Sequence, residues 1–231
     1  NVLIMPSAWS VSDSTASALK TWVQQGGTLI THEGTTQALA SKDGSTVKLV
    51  SDIFKDAEKF DIALQRRLLA DESVNNMDNL FATTVSEDVT YPWDDAPKRL
   101  SEDELKKRDK WQQLFMPAGA MVSGSVDQQH WLSFGTNEQL PLLYGRQPVL
   151  VVPENAEAVV TVGVYKDKKV SKKAKDNADE KSKAIAWYSL PQDKELHVRM
   201  SGLLWPEAAQ RIANSAYLTR ERVGSGQIIM F

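Results

Sequence analysis

The stretch from residue 2 to residue 34, VLIMPSAWSVSDSTASALKTWVQQGGTLITHEG, decides the fold. Val2 to Met5 is a continuous apolar run, which is typical of a strand buried on both faces of a parallel sheet. A helix that Ser12 or Asp13 can cap follows, and a Gly-Gly pair ends it. Thr28 to Ile30 is the next strand. A strand–helix–strand unit of about 30 residues predicts a right-handed parallel crossover.

The later chain has a different texture. Short β-branched and aromatic runs follow Met121, and residues 149–190 predict an antiparallel edge. The fold class is therefore α/β: a flavodoxin-like, mainly parallel sheet with helices on both faces and an antiparallel extension. The string Ser123-Gly124-Ser125 favours a turn. We predict one domain over residues 1–231, with an insertion at about 42–113.

Composition excludes several classes of protein. The chain has 231 residues, with 27 Lys and Arg against 30 Asp and Glu, a net charge of −3 that does not favour nucleic acid as a partner. Without cysteine it has no disulfides, thiolate metal sites or cysteine nucleophiles. No apolar run approaches the roughly 20 residues that span a bilayer. The abrupt start and end within predicted strands suggest a piece of a longer protein.

The segment from Lys166 to Lys183 contains eight lysines and four acidic residues. A surface that binds nucleic acid would require aromatic residues among the lysines, and this segment has none. Its scarcity of apolar side chains predicts a mobile, solvated loop joining two strands.

Four side chains are candidates for a binding site. In an open α/β sheet, ligands collect at the carboxyl ends of the strands. Ser7 and Trp9 follow the first strand, and His32 and Glu33 follow the second, so we expect all four around one crevice. Thr31 to Gly34 has the form of a nucleophile elbow with His32 at the nucleophile position. His32 and Glu33 can act as an acid–base pair, or form an ordinary surface turn.

The three histidines do not predict a metal site. His32, His130 and His197 stand far apart in sequence, and none is part of a His-x-x-Glu, His-Glu-x-x-His or His-x-His motif. We therefore expect no zinc and no cofactor in this chain.

Several strings, taken in order, carry a family resemblance. VLIMPS and LKTWVQQGGTLI resemble the class I glutamine amidotransferase-like fold. LFMPAGAMV, DQQHWLSFG, SGLLWPEAA and RVGSGQIIMF resemble the amidotransferase-like domain that follows the catalytic domain in large bacterial zinc carboxypeptidase-related proteins. The resemblance extends over residues 2–40 and 114–231.

The resemblance implies a context more than a reaction. The catalytic cysteine of true amidotransferases falls at His32, so glutaminase chemistry should be absent. The zinc ligands would belong to an upstream carboxypeptidase-like domain, which would be the partner of this chain. The parent protein would be a periplasmic or secreted metallopeptidase homologue.

Three functions follow as hypotheses. The leading one is a non-catalytic C-terminal accessory domain that supports a zinc carboxypeptidase-like enzyme or binds a ligand for it. The first alternative is a hydrolase or amidase using His32 and Glu33 in a degenerate elbow. The second is a peptide- or glycan-binding module using exposed tryptophans such as Trp9, Trp93 and Trp131.

Overall fold

A computed structural model describes residues 1–8, 10–40, 42, 45–53, 101–145, 147–153, 155–167 and 194–231, and the backbone of two short strands between 183 and 190. The chain divides into two compact units. The first comprises Asn1–Ile53, Asp109–Val164 and His197–Phe231, and the second comprises Phe54–Arg108 and Tyr165–Leu196. The expected insertion at 42–113 lies mostly outside the described residues and stays a prediction.

The described strands and helices are numbered here in chain order. The strands are β1 (Val2–Met5), β2 (Thr28–Thr31), β3 (Lys48–Leu49), β4 (Ala120–Val126), β5 (Gln139–Tyr144), β6 (Leu150–Val151), β7 (Ala156–Val162), β8 (Val164–Asp167), β9 (Lys183–Ile185), β10 (Tyr188–Leu190), β11 (Lys194–His197), β12 (Arg199–Ser201), β13 (Ala216–Val223) and β14 (Gly226–Met230). The helices are α1 (Asp13–Gln24), α2 (Gly34–Leu39), α3 (Val50–Ile53), α4 (Glu102–Gln113) and α5 (Pro206–Ile212). None of these helices is long and apolar enough to cross a membrane.

The first unit contains the predicted strand–helix–strand crossover. β1 and β2 pair in parallel, and β14 pairs in parallel with the other edge of β2. Ser12 caps α1 by accepting a hydrogen bond from the Thr15 N–H, and Gly26, at φ 107°, lies in the turn that follows the helix. α1 packs against β2, β13 and β14, and its Val23 is fully buried in the core with Leu29 and Ile228. These contacts confirm the crossover predicted from the sequence.

The rest of the main sheet is antiparallel. Its strand order is β1-β2-β14-β13-β7-β4-β12, with β3, β5 and β6 paired beside this path. Beyond the β1, β2 and β14 group, every described pairing in this sheet is antiparallel. The α/β class is thus confirmed. The antiparallel part is larger than the predicted edge at 149–190, because β7 lies in the interior between β13 and β4.

The sequence predicted that the first strand is buried on both faces, and this prediction was wrong. Val2 is 64 % exposed and Ile4 is 66 % exposed. Both side chains point to the face opposite Met5, which packs against the core cluster. In the described part of the chain β1 stands at the end of the strand order and pairs with β2 alone. An apolar run therefore marks an end strand here and not a central one.

The predicted turn at Ser123-Gly124-Ser125 is also wrong, since these residues lie within β4. Burial alternates along β4, with Val122 and Val126 inward. A Cβ on Gly124 would lie 2.7 Å from a methyl carbon of Leu142 on the neighbouring strand. The glycine therefore makes room for a cross-strand side chain and does not mark a turn.

The second unit is described in part. A capping box starts α4: the Ser101 N–H donates to Glu104 Oε2 at 2.8 Å, and the Glu104 N–H donates to Ser101 Oγ at 3.3 Å. β8 pairs with β11, and β9 pairs antiparallel with β10. Residues 168–182 of the predicted lysine-rich loop lie outside the described residues, as do residues 54–100.

Gly226, the first residue of β14, provides a test of how closely this strand packs against the backbone of Val23 and Gly27. A Cβ at this position would lie 2.0 Å from the Val23 carbonyl oxygen and 2.3 Å from that of Gly27. We expect Gly226→Ala to lower the free energy of unfolding by about 3 kcal/mol or more, because backbone atoms would have to move apart. Urea denaturation measures the change.

Gly145→Ala is the matched control for this substitution. The nearest atoms to its added Cβ lie at 3.9 Å, so we expect a change within about 1 kcal/mol. Equal losses in the two variants would contradict the close packing described for Gly226 at the start of β14.

Candidate functional site

The candidate site lies where the three parallel strands end. Met5 of β1 pairs with Thr31 of β2, which pairs with Met230 of β14, so the carboxyl ends of these strands share one edge of the sheet. His32 and the turn residue Glu33 then lead from β2 into Gly34 and Thr35, the first residues of α2. We refer to these four residues as the elbow.

The strained residue of the elbow is Glu33. Its φ is 44° and its ψ is −111°, outside the regions that residues with a Cβ normally occupy. This backbone form is expected at the apex of a sharp strand-to-helix turn. The sequence placed the nucleophile position of the elbow at His32, whereas the strained backbone lies at the next residue, Glu33. A carboxylate therefore stands where an elbow enzyme would carry its nucleophile.

Gly34 is required by a close approach of the chain that follows β1. A Cβ on Gly34 would lie 2.8 Å from the Ala8 carbonyl oxygen and 2.9 Å from Ser7 Oγ. The Gly34 N–H donates to Ser7 Oγ at 3.1 Å. The glycine thus brings the loops after β1 and β2 into direct contact.

Buried threonines fix the elbow through hydrogen bonds of their hydroxyl groups. Thr31, Thr35 and Thr36 are all fully buried. The Thr36 hydroxyl donates to the Phe231 carbonyl at 3.0 Å and lies 2.7 Å from Thr31 Oγ1. Thr35 Oγ1 donates to the Pro6 carbonyl and accepts the Ala8 N–H at 2.9 Å. Sequence reasoning missed these residues, although three threonines around a His-Glu-Gly turn are a visible signal of buried hydroxyl pairing.

Three successive backbone N–H groups of the elbow, those of Glu33, Gly34 and Thr35, are used within the protein. The Glu33 N–H donates to the Phe231 carbonyl at 2.9 Å, and the Thr35 N–H donates to the His32 carbonyl at 3.1 Å. With the Gly34 N–H bound to Ser7, three successive donors have protein acceptors. An oxyanion hole needs such donors to be free and aimed at the substrate.

The two titratable side chains of the elbow make a loose pair. His32 Nδ1 lies 3.9 Å from Glu33 Oε2, beyond hydrogen-bond distance, and the two side chains are 40 % and 36 % exposed. The Phe231 ring meets the His32 ring edge-on, with centroids 4.9 Å apart. Burial, and then the nearby Glu33 carboxylate, raises the pKa of Tyr217. Tyr217 thus adds a phenol to this edge of the sheet.

The structure brings Ser7, His32 and Glu33 together at the elbow, and the crevice expected around them stays a prediction. Trp9 lies outside the described residues. Ligand binding by these four residues stays a prediction.

The histidines do not converge on a metal. His130 accepts the Leu132 N–H on Nδ1 at 3.1 Å, and its Nε2 lies 3.2 Å from Glu157 Oε2. Arg220 and, less strongly, His130 lower the pKa of Glu157. Across the described ranges, no group of three or more His, Asp or Glu side chains is placed to hold a metal ion. His130 therefore acts here as a structural hydrogen-bonding residue.

A second feature of the first unit is an aromatic groove of about 390 Å³, lined by residues 114–119, Leu203 and Trp205. The Phe115 ring lies edge-on to Trp111, with centroids 5.0 Å apart, and to Trp205 at 6.0 Å. Trp111 is 56 % exposed and Trp205 is 49 % exposed. The tryptophans singled out from the sequence were others: Trp131 is exposed and stacks on His130, while Trp9 and Trp93 lie outside the described residues.

Comparisons with known proteins add little. No family model matches the chain, and no curated protein matches it. Among solved structures, the beta-galactosidase from Bacillus circulans sp. alkalophilus matches with 14 % sequence identity and a TM-score of 0.37. The match covers 99 % of this chain and 19 % of that chain. At this level of similarity it supports no statement about function.

The strained backbone of Glu33 is testable by two substitutions. Glu33→Gly should raise the free energy of unfolding by about 1 kcal/mol, because glycine adopts positive φ without steric cost and this gain exceeds its entropic penalty. Glu33→Ala removes the same carboxylate but keeps the Cβ, so we expect no such gain. Urea denaturation of both variants separates strain from charge, and an equal effect in the two would exclude strain as the cause.

Proposed function

We propose that this chain is a non-catalytic accessory domain, of the class I glutamine amidotransferase-like and flavodoxin-like type. It would serve a zinc carboxypeptidase-like protein in the periplasm or outside the cell. The proposal assigns no cofactor to this chain, and it places zinc in the upstream carboxypeptidase-like domain. Support for the family and the partner comes from the ordered sequence strings alone.

One observation supports the non-catalytic part of the proposal. The N–H groups of Glu33 and Thr35 donate to backbone carbonyls of the same chain, and the N–H group of Gly34 donates to the Ser7 hydroxyl. An acyl-transfer enzyme that works at such a turn leaves backbone N–H groups free for the oxyanion. To act in this way, the elbow would have to break hydrogen bonds that hold it together.

The side chains of the elbow support the same conclusion. Catalysis of the serine or cysteine type needs a hydroxyl or thiol within hydrogen-bond reach of a base. The apex residue is Glu33, and Ser7 Oγ is already the acceptor for Gly34. The hydrolase alternative based on His32 and Glu33 would therefore rely on water or on the Glu33 carboxylate as nucleophile, and the N–H groups of Glu33, Gly34 and Thr35 would not be free to stabilise its transition state.

The peptide- or glycan-binding alternative has a specific observation in its favour. The aromatic groove exposes apolar side chains, with Leu114 and Leu203 beside Trp111 and Trp205. Aromatic residues in exposed apolar patches are typical of interaction sites. We therefore keep ligand binding as a second candidate, with these tryptophans in place of those chosen from the sequence.

The non-catalytic proposal predicts no hydrolysis. Wild type, His32→Ala and Glu33→Gln should all give background rates with glutamine and with panels of simple amides and esters. A known amidase in the same assay shows that turnover is detectable. Turnover by the wild type that disappears in either variant would establish the hydrolase alternative.

The accessory role is tested on the full open reading frame that encodes this chain. We expect an upstream segment with a His-x-x-Glu motif and a distant third histidine, and about one zinc per full-length protein by elemental analysis. A full-length protein without that motif and without zinc would remove the carboxypeptidase context.

A further inference from the structure

The first unit contains a cavity of about 370 Å³, and one of its lining residues is a buried cation. The cavity lies among α2, α3, α5, the end of α4 and the segment after β5, and it is formed by residues other than those of the elbow. Its cation is Arg211 of α5, whose side chain is only 10 % exposed. Its volume is within the range of small-molecule sites.

Arg211 is only partly satisfied by protein atoms. Its Nε donates to Asp109 Oδ1 at 2.8 Å, and its Nη1 points to the Met116 sulfur, a weak acceptor, at 3.8 Å. These are its hydrogen bonds within the described residues. A guanidinium has five N–H donors, so donors on Nη1 and Nη2 remain for water or a ligand in the cavity.

Asp109 does not cancel the attraction for an anion in the cavity. Its Oδ1 accepts from Arg211, and its Oδ2 accepts from Gln113 Nε2 at 2.5 Å, so both oxygens are already engaged. The Asp109 side chain is buried and does not line the cavity. A ligand that contacts the free donors of Arg211 is therefore closer to the cation than to Asp109, and the nearer charge dominates its Coulomb energy.

The remaining walls restrict the class of ligand. Leu49 and Val149 supply apolar surface, and the side chains of Gln37 and Ser51 supply neutral polar groups. Arg211 is the one cation among the described lining residues. A phosphate or sulfate would carry more charge than one guanidinium balances, whereas a carboxylate carries one charge and matches the planar guanidinium.

We propose that this cavity binds the carboxylate group of a small monocarboxylate, with Arg211 as the anion-binding residue and the short hydrocarbon part of the ligand against Leu49 and Val149. This site goes beyond the proposed accessory function and does not depend on it.

The test uses acetate, butyrate and benzoate as probes, with butyramide as the uncharged counterpart of butyrate. Ligand-observed NMR on the purified chain measures saturable binding. We expect at least one carboxylate to bind, and butyrate to bind at least tenfold more tightly than butyramide. Equal binding of butyrate and butyramide, or no saturable binding of any carboxylate, would overturn the proposal.

Two variants locate the binding. Ser51→Tyr places a large side chain in the cavity and leaves Arg211 itself unchanged, and Ser17→Tyr makes the same change on the exposed face of α1. We expect the first to abolish carboxylate binding and the second to leave it unchanged. Arg211→Lys keeps the charge but loses the planar fork, so a folded variant should bind at least fivefold more weakly. Unchanged binding in Ser51→Tyr would place the carboxylate elsewhere and refute the site.

Discussion

The pairing of β14 is the interaction on which the first unit depends. β14 forms parallel hydrogen bonds with β2 on one edge and antiparallel hydrogen bonds with β13 on the other. It thereby joins the crossover at the start of the chain to the antiparallel strands that follow Met121. Its Ile228, Ile229 and Met230 are all buried, so both faces of this strand are covered. The carbonyl of Phe231, the next residue, then accepts hydrogen bonds from the Glu33 N–H and the Thr36 hydroxyl.

The elbow combines the sharp backbone of a strand-to-helix turn with N–H groups that are engaged within the chain. Its backbone has the sharp geometry at Glu33, and its position at the carboxyl ends of parallel strands is where α/β proteins bind ligands. Its donors, however, are bound to Phe231, Ser7 and His32 of the same chain. These bonds stabilise a strained residue, and they do so by occupying the groups that an oxyanion would need.

Local signals in the sequence predicted local structure well. Ser12 and the Gly-Gly pair after α1 act where their chemistry indicated, since caps and turns depend on neighbours a few residues away. The exposure of β1 and the strand at Gly124 were mispredicted, because each depends on a partner distant in sequence. The Arg211 cavity was not predicted, since Asp109 lies 102 residues from its partner. The convergence of Ser7, His32 and Glu33 was predictable because strand ends in a parallel sheet share an edge.

The place of β14 in the sheet has a consequence for the order of folding. Thr28 of β2 pairs with Gln227, so contacts that join the start and the end of this chain lie inside the sheet. Closing so long a loop costs entropy before any pairing is gained, and topologies rich in distant contacts fold slowly. During synthesis, β2 must wait with one edge unpaired until β14 has left the ribosome. In the nascent chain the unpaired edge of β2 can therefore pair with a strand of another molecule. This risk of aggregation ends when β14 inserts beside β2.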